Sequence, residues 1–274
     1  MTGFGMMGLF HKHDALHLTL PQVSPLLSPW YHEDYGGKLL EDTEAVVADW
    51  VEQAVGYFAL DIRSFESGRR WLDNGLIHSH FAISCARQAD SQVVGDFSRL
   101  PIDSGSLDLV VAHHVLEFCT DPHEFLREVD RTLIPEGRLI VVGFNPLGVH
   151  GLLKWFKPRL APPWGGRFYP ALRVREWLSV LGFDVEKTRY FAFPFSFSKK
   201  RAGRRASRLC RRVLPFSGAL FALLAVKRLS RVVPVAGSWS PGKVLAGKSV
   251  QPTTFERSAP RLSHGGEKNA RGAP

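Results

Sequence analysis

Three ionisable side chains, His113, His114 and Glu117, close the apolar run "SLDLVVAHH" (106–114) and the residues just after it. Imidazole is the side chain whose charge changes near neutral pH, so either histidine could take a proton from a nucleophile. Glu117 could do the same if buried. The plainer alternative is structural, with one histidine in the core and Glu117 capping or pairing locally. A second set of candidates is carried by strand ends. Asp61 ends the run Tyr57-Phe58-Ala59-Leu60, and Asp96-Phe97 follows Gly95. A carboxylate accepts hydrogen bonds from an amino group, and an aromatic ring offers stacking area. Asp after Gly is equally a turn former.

These residues need elements to hold them. Residues 56–62 read as a strand and 65–75 as a helix. Short strands are expected at 80–84 and 92–94, and a continuous apolar strand at 106–114. Such a run suits a parallel strand buried on both faces. Asp121 and Pro122 are a natural N-cap and first residue of a helix over 121–133, with Phe125, Leu126, Val129 and Leu133 as its buried stripe. Glu136-Gly137 turns the chain into a strand over 135–144. A helix at 172–183 closed by Gly182 and strands at 183–193 and 218–228 complete the pattern. Ahead of them, a helix is expected over 39–53. Residues 1–29 read as loop because Pro21, Pro25 and Pro29 interrupt them. Alternating strands and helices predict an α/β fold: a doubly wound, Rossmann-like sheet with helices on both faces. In such sheets ligands sit beyond the carboxyl ends of the strands, which is where the candidates lie.

Composition sets the class. The 274 residues are 45% hydrophobic and 22% charged, as in a soluble globular chain. No transmembrane span or signal peptide is read. Three scattered cysteines suit a reducing cytoplasm with free thiols. His11, His13, Asp14 and His17 have no second cluster to complete a metal site and read as a mobile terminus.

The string "GDFSRLPIDSGSLDLVVAHHVLEFCTDPHEFLREVDRTLIPEGRLIVVGFNP" (95–146) resembles the central half of class I S-adenosylmethionine-dependent methyltransferases of the type 11 kind. The resemblance covers roughly 40–230. It implies a seven-stranded sheet whose last strand inserts antiparallel between its partner and strand five. It also implies S-adenosylmethionine as cofactor and methyl transfer to an unidentified substrate. Asp96 then matches the acid that binds the adenine amino group, and Phe97 the residue packed on the ring. His113 and its neighbours face the transferred methyl. Asp61 matches the acid of the glycine loop, but Arg63 and Phe65 stand at the glycine positions. If that turn needs positive φ, a Cβ costs about 1–2 kcal/mol at each position. Ser84 and Cys85 stand near where an acid grips the ribose. Loss of cofactor binding, leaving a binding or scaffold module, is therefore the competing expectation. Asn145-Pro146 is set aside as a substrate motif because it follows strand five rather than strand four.

Charge divides the chain. Residues 1–198 carry 18 Lys/Arg and 24 Asp/Glu, a balance of −6; residues 199–274 carry 17 and 2, a balance of +15. Residues 1–38 read as a lead segment, 39–231 as the methyltransferase-like domain and 232–274 as a basic tail expected to be disordered. Within the domain, "KKRAGRRASRLCRR" (199–212) is a basic insert. As a helix it is cationic nearly all round, with Ala202, Ala206 and Leu209 as a thin apolar line. A nucleic acid or a membrane surface is the expected anionic partner of 199–274, against the plainer readings of a solubilising tail and, for 199–212, a solvated loop between two strands.

Overall fold

The apolar runs become the middle of a sheet. In a computed structural model the described residues are 20–228, leaving out 67, 69–70, 74, 86–91, 149–150, 152–164 and 194–200. The strands are β1 (Val55–Arg63), β2 (Leu76–Ser84), β3 (Val93–Val94), β4 (Leu107–His113), β5 (Leu133–Phe144), β6 (Phe183–Phe191) and β7 (Leu220–Lys227). They form a seven-stranded sheet in the order β3-β2-β1-β4-β5-β7-β6. Strands β3 to β5 along this order are parallel, whereas β7 runs antiparallel to both β5 and β6. The expected α/β sheet with its inserted last strand is present. The chain order reverses between β1 and β4, which makes their carboxyl ends the switch point.

Five helices are described: α1 (Leu20–His32), α2 (Asp34–Val51), α3 (Pro122–Thr132), α4 (Ala171–Val180) and α5 (Arg201–Val213). Asp121 caps α3 as its sequence predicts, accepting from the N–H groups of His123 and Glu124 at 2.8 and 3.2 Å. Gly182 closes α4 at φ +87°. Leu109, Val110, Val111, Leu139 and Ile140 are fully buried at the centre of the sheet.

Four expectations need correction. The segment before residue 29 is not all loop, because α1 forms through Pro25 and Pro29. Each proline removes one backbone bond. Leu27 and Tyr31, four residues apart, are buried, and burial worth about 1.5–3 kcal/mol for each apolar side chain offsets the loss. α2 starts at Asp34 rather than at 39, since Gly36 lets the chain pass against the Trp30 carbonyl, where a Cβ would lie 2.2 Å away. Among the described residues of 65–75 there is no helix: Gly68 takes φ +62°, while Phe65, Trp71 and Leu72 are each buried as separate anchors. Finally, the basic insert is helical, as α5, rather than a loop. The remaining elements lie within a few residues of their expected bounds. Residues 11–17 and the tail 232–274 lie outside the described residues.

Candidate active site

The last rung of the parallel sheet sets Ser84, Arg63 and His113 side by side, from β2, β1 and β4. All three are buried. Side chains two apart on a strand share a face, so Asp61 and Arg63 meet. Arg63 Nε and Nη2 both reach Asp61 Oδ2, at 2.6 and 2.5 Å. His113 stacks on Trp71 with ring centroids 4.4 Å apart, and neither ring nitrogen has a hydrogen-bond partner among the described residues. Burial pushes its pKa well below the ordinary imidazole value, helped by the positive charge of Arg63 and by His114. His113 is therefore neutral.

His114 turns the other way. Its φ of +52° lies in the left-handed region, which histidine visits more often than most residues but still at a cost. The turn packs its ring on Phe144, with centroids 4.1 Å apart. His114 Nε2 meets the Tyr31 hydroxyl at 2.7 Å, and Nδ1 meets Glu117 Oε1 at 3.1 Å. The same Oε1 accepts the Phe144 N–H at 2.6 Å. Gly143 leaves room for this contact, since a Cβ there would lie 3.1 Å from Oε1 and closer still to the Phe221 ring. Burial, then the charge of Glu117, holds the Tyr31 phenol well above its usual pKa, so its proton stays on. A carboxylate facing Nδ1 fixes the proton there and leaves the Nε2 lone pair toward Tyr31. The array is a buried Tyr–His–carboxylate chain.

Beyond β3 and β4 lies a cleft of about 600 Å³, lined among others by Cys85, Gly95, Asp96, Phe97, Phe118 and Asp121. This is the size of small-ligand sites. Asp96 is exposed. Its Oδ1 accepts from the Ser98 N–H at 2.9 Å. That bond, with the Ser98 side chain, holds its pKa below the usual carboxylate value. Phe97 is 3% exposed and leans on Phe125. Cys85 has its thiol pushed up to about 11 by burial, so it is no ready nucleophile.

The structure thus separates the residues that the sequence grouped. Asp96 and Phe97 line the open cleft. Asp61, Arg63, Ser84 and His113 are packed beside one another under the switch point. His114 and Glu117 pair with each other and with Tyr31, not with His113. Tyr31 was missed, and its only signal was the Leu27–Tyr31 spacing inside a proline-bearing segment. Neither Arg63 nor Phe65 takes positive φ, so the strain expected there is not incurred. Instead β1 runs on through Arg63, and Phe65 turns inward to stack on Tyr31 with centroids 4.1 Å apart. Asn145 serves the backbone, donating from Nδ2 to the carbonyls of Phe216 and Gly218.

Residues 77–141 match the family model described as "Methyltransferase domain". The chain is also 31% identical over 204 residues to the uncharacterised protein YafS of Escherichia coli (strain K12), covering 74% of this chain and 73% of that one. The chain belongs to the class I S-adenosylmethionine-dependent methyltransferase family. Among solved structures, it overlaps an S-adenosylmethionine-dependent methyltransferase from Mesorhizobium loti at 14% identity and TM-score 0.47, over 66% of this chain and 96% of the other. It overlaps a SAM-dependent methyltransferase from Aquifex aeolicus at 14% identity and TM-score 0.43, over 68% of this chain and 90% of the other. The sheet order, rather than these overlaps, establishes the methyltransferase fold.

The chemistry of the cleft suits the adenosine part of S-adenosylmethionine: an acceptor carboxylate, Asp96, and a buried aromatic, Phe97, border it. The amino-acid part has no glycine-lined cradle. The residues that end β1 and follow it, Arg63, Ser64 and Phe65, are buried, and His113 lies beside Arg63 in register.

Proposed function

We propose that the chain is an S-adenosylmethionine-dependent methyltransferase that holds the nucleoside in the cleft beyond β3 and β4 and uses His114 as proton acceptor. One observation carries this reading. The open cleft at Asp96 and the oriented His114–Glu117 pair lie at the same carboxyl edge of the sheet, in a chain of this family. When bound, the cofactor supplies a methyl group activated on a sulfonium. Asp96 accepts from the adenine amino group, and Phe97 packs against the ring. Its Ser98 bond keeps Asp96 ionised at neutral pH.

On the acceptor side Glu117 faces Nδ1 of His114 and so leaves the Nε2 lone pair as the acceptor. The Tyr31 hydroxyl occupies that lone pair. An acceptor O–H or N–H loses its proton to Nε2 either through the Tyr31 hydroxyl or after Tyr31 swings aside with α1. The hydrophobic wall of Phe65, Phe144 and Phe168 keeps water from this end. Thermal unfolding tests the reading. Saturating S-adenosylmethionine, at about a hundred times Kd, should raise Tm by roughly 5–10 °C, and Asp96→Ala should remove most of that rise. No rise in the unaltered protein leaves the chain a scaffold with a methyltransferase fold.

A further inference from the structure

α5 links the end of β6 to the start of β7. Because β7 runs against β5, its first residue, Leu220, pairs with Phe144 at the carboxyl end of β5 and with Phe191 at the end of β6. α5 therefore emerges at the same end of the sheet as His114 and the Asp96 cleft. The two Asn145 hydrogen bonds, each 2.7 Å, tie the turn that follows α5 to that end.

The helix presents an unusual surface. There is no acidic residue from Lys199 to Arg228. Arg205, Arg208, Arg211 and Arg212 are exposed. Among the described side chains of the helix the half-buried ones are Ser207 and Cys210, and Ser207, Arg208 and Arg211 border a second, open cleft together with Asp42 and Arg189. The apolar side chains instead face outward: Leu209, Val213, Leu214 and Phe216 are 63%, 64%, 59% and 61% exposed. A surface helix ordinarily turns its apolar stripe to the core and its charges to water. Here both the arginines and the apolar side chains face solvent. That combination matches a surface that is anionic outside and apolar just beneath. A nucleic acid satisfies the arginines but offers nothing to four outward apolar side chains.

We propose that α5 and the turn through Phe216 dock on an anionic lipid bilayer. The arginines meet the lipid phosphates, and Leu209, Val213, Leu214 and Phe216 enter the headgroup boundary. Docked this way, the site end of the sheet is held close to the bilayer. The proposal does not depend on methyl transfer.

Co-sedimentation of the full chain with vesicles tests it, using phosphatidylglycerol mixed with phosphatidylcholine against phosphatidylcholine alone. The unaltered chain should bind the anionic vesicles at least roughly tenfold more tightly. The double variant Leu209→Ser/Phe216→Ser keeps every arginine and the basic tail, and should lose roughly tenfold or more of that binding. Arg208→Gln/Arg212→Gln should lose a similar factor. All four positions are exposed and the variants should stay folded; Phe216→Ser gives up its edge-on contact with the Tyr190 ring and should lower Tm by no more than about 6 °C. Unchanged vesicle binding by Leu209→Ser/Phe216→Ser overturns the proposal, because charge alone then accounts for the binding. Tighter binding to duplex DNA than to anionic vesicles, unaffected by the same variant, overturns it in favour of nucleic acid.

Discussion

The two halves of the switch point are built in opposite ways. On the β3 side the carboxyl edge is open, and Asp96 and Phe97 border a cleft of about 600 Å³. On the β1 side it is closed: Arg63 is paired with Asp61, and Phe65 is stacked on Tyr31 of α1. The open half is the one proposed to take the nucleoside. The closed half has exchanged backbone flexibility for side-chain packing. Glycines let a loop wrap a ligand, whereas Arg63 and Phe65 give the loop a fixed shape and fill the space above it. Binding and fold stability should therefore separate between the two halves, and substitutions can expose that division.

The largest effect is expected at His114, where the halves meet. His114→Gln should lower turnover about 10²–10⁴-fold while leaving cofactor affinity as it was, read by steady-state kinetics beside equilibrium binding. Equal losses in both would merge the two halves into one site. On the closed side, Arg63→Met removes the guanidinium that binds the Asp61 carboxylate in the interior. Urea unfolding should show a loss of about 3–5 kcal/mol, against little change for Asp96→Ala.

A smaller effect concerns pH. His113 is held neutral, with its folded pKa below the unfolded value. The unfolded chain therefore takes up a proton that the folded chain refuses. The contribution is complete above about pH 6.5 and is lost as pH falls below it, at about 1.4 kcal/mol per pH unit down to the folded pKa. His113→Phe keeps the stack on Trp71 and should flatten the stability profile between pH 6.5 and 5. An unchanged slope would assign it to other groups. The smallest effect is expected for Tyr31→Phe, which removes one hydrogen bond and should cost about 1 kcal/mol. If it also slows turnover, the proton passes through the Tyr31 hydroxyl.

Most of the frame was legible because central parallel strands are continuous apolar runs and because Asp121-Pro122 and Gly182 mark helix ends by local chemistry. What failed to show was tertiary. Prolines in α1 read as breakers, since the compensating burial of Leu27 and Tyr31 comes from a distant part of the chain. The segment after β1 looked helical by composition, and the turn at Gly68 decides otherwise. At the site, sequence placed His113, His114 and Glu117 in one group because they are neighbours along the chain. The left-handed turn at His114 separates them, and nothing in the local residue types announces it. The outward apolar side chains of α5 were equally hidden, because periodicity reports a stripe without saying which way it faces.

The central claim is that the open half binds the nucleoside without a glycine loop. Calorimetric titration with S-adenosylhomocysteine, on the unaltered protein and on Asp96→Ala, tests it most directly. Saturable binding that weakens roughly 10- to 100-fold in the variant is the predicted result. Absence of heat in the unaltered protein, or binding indifferent to Asp96, would contradict it.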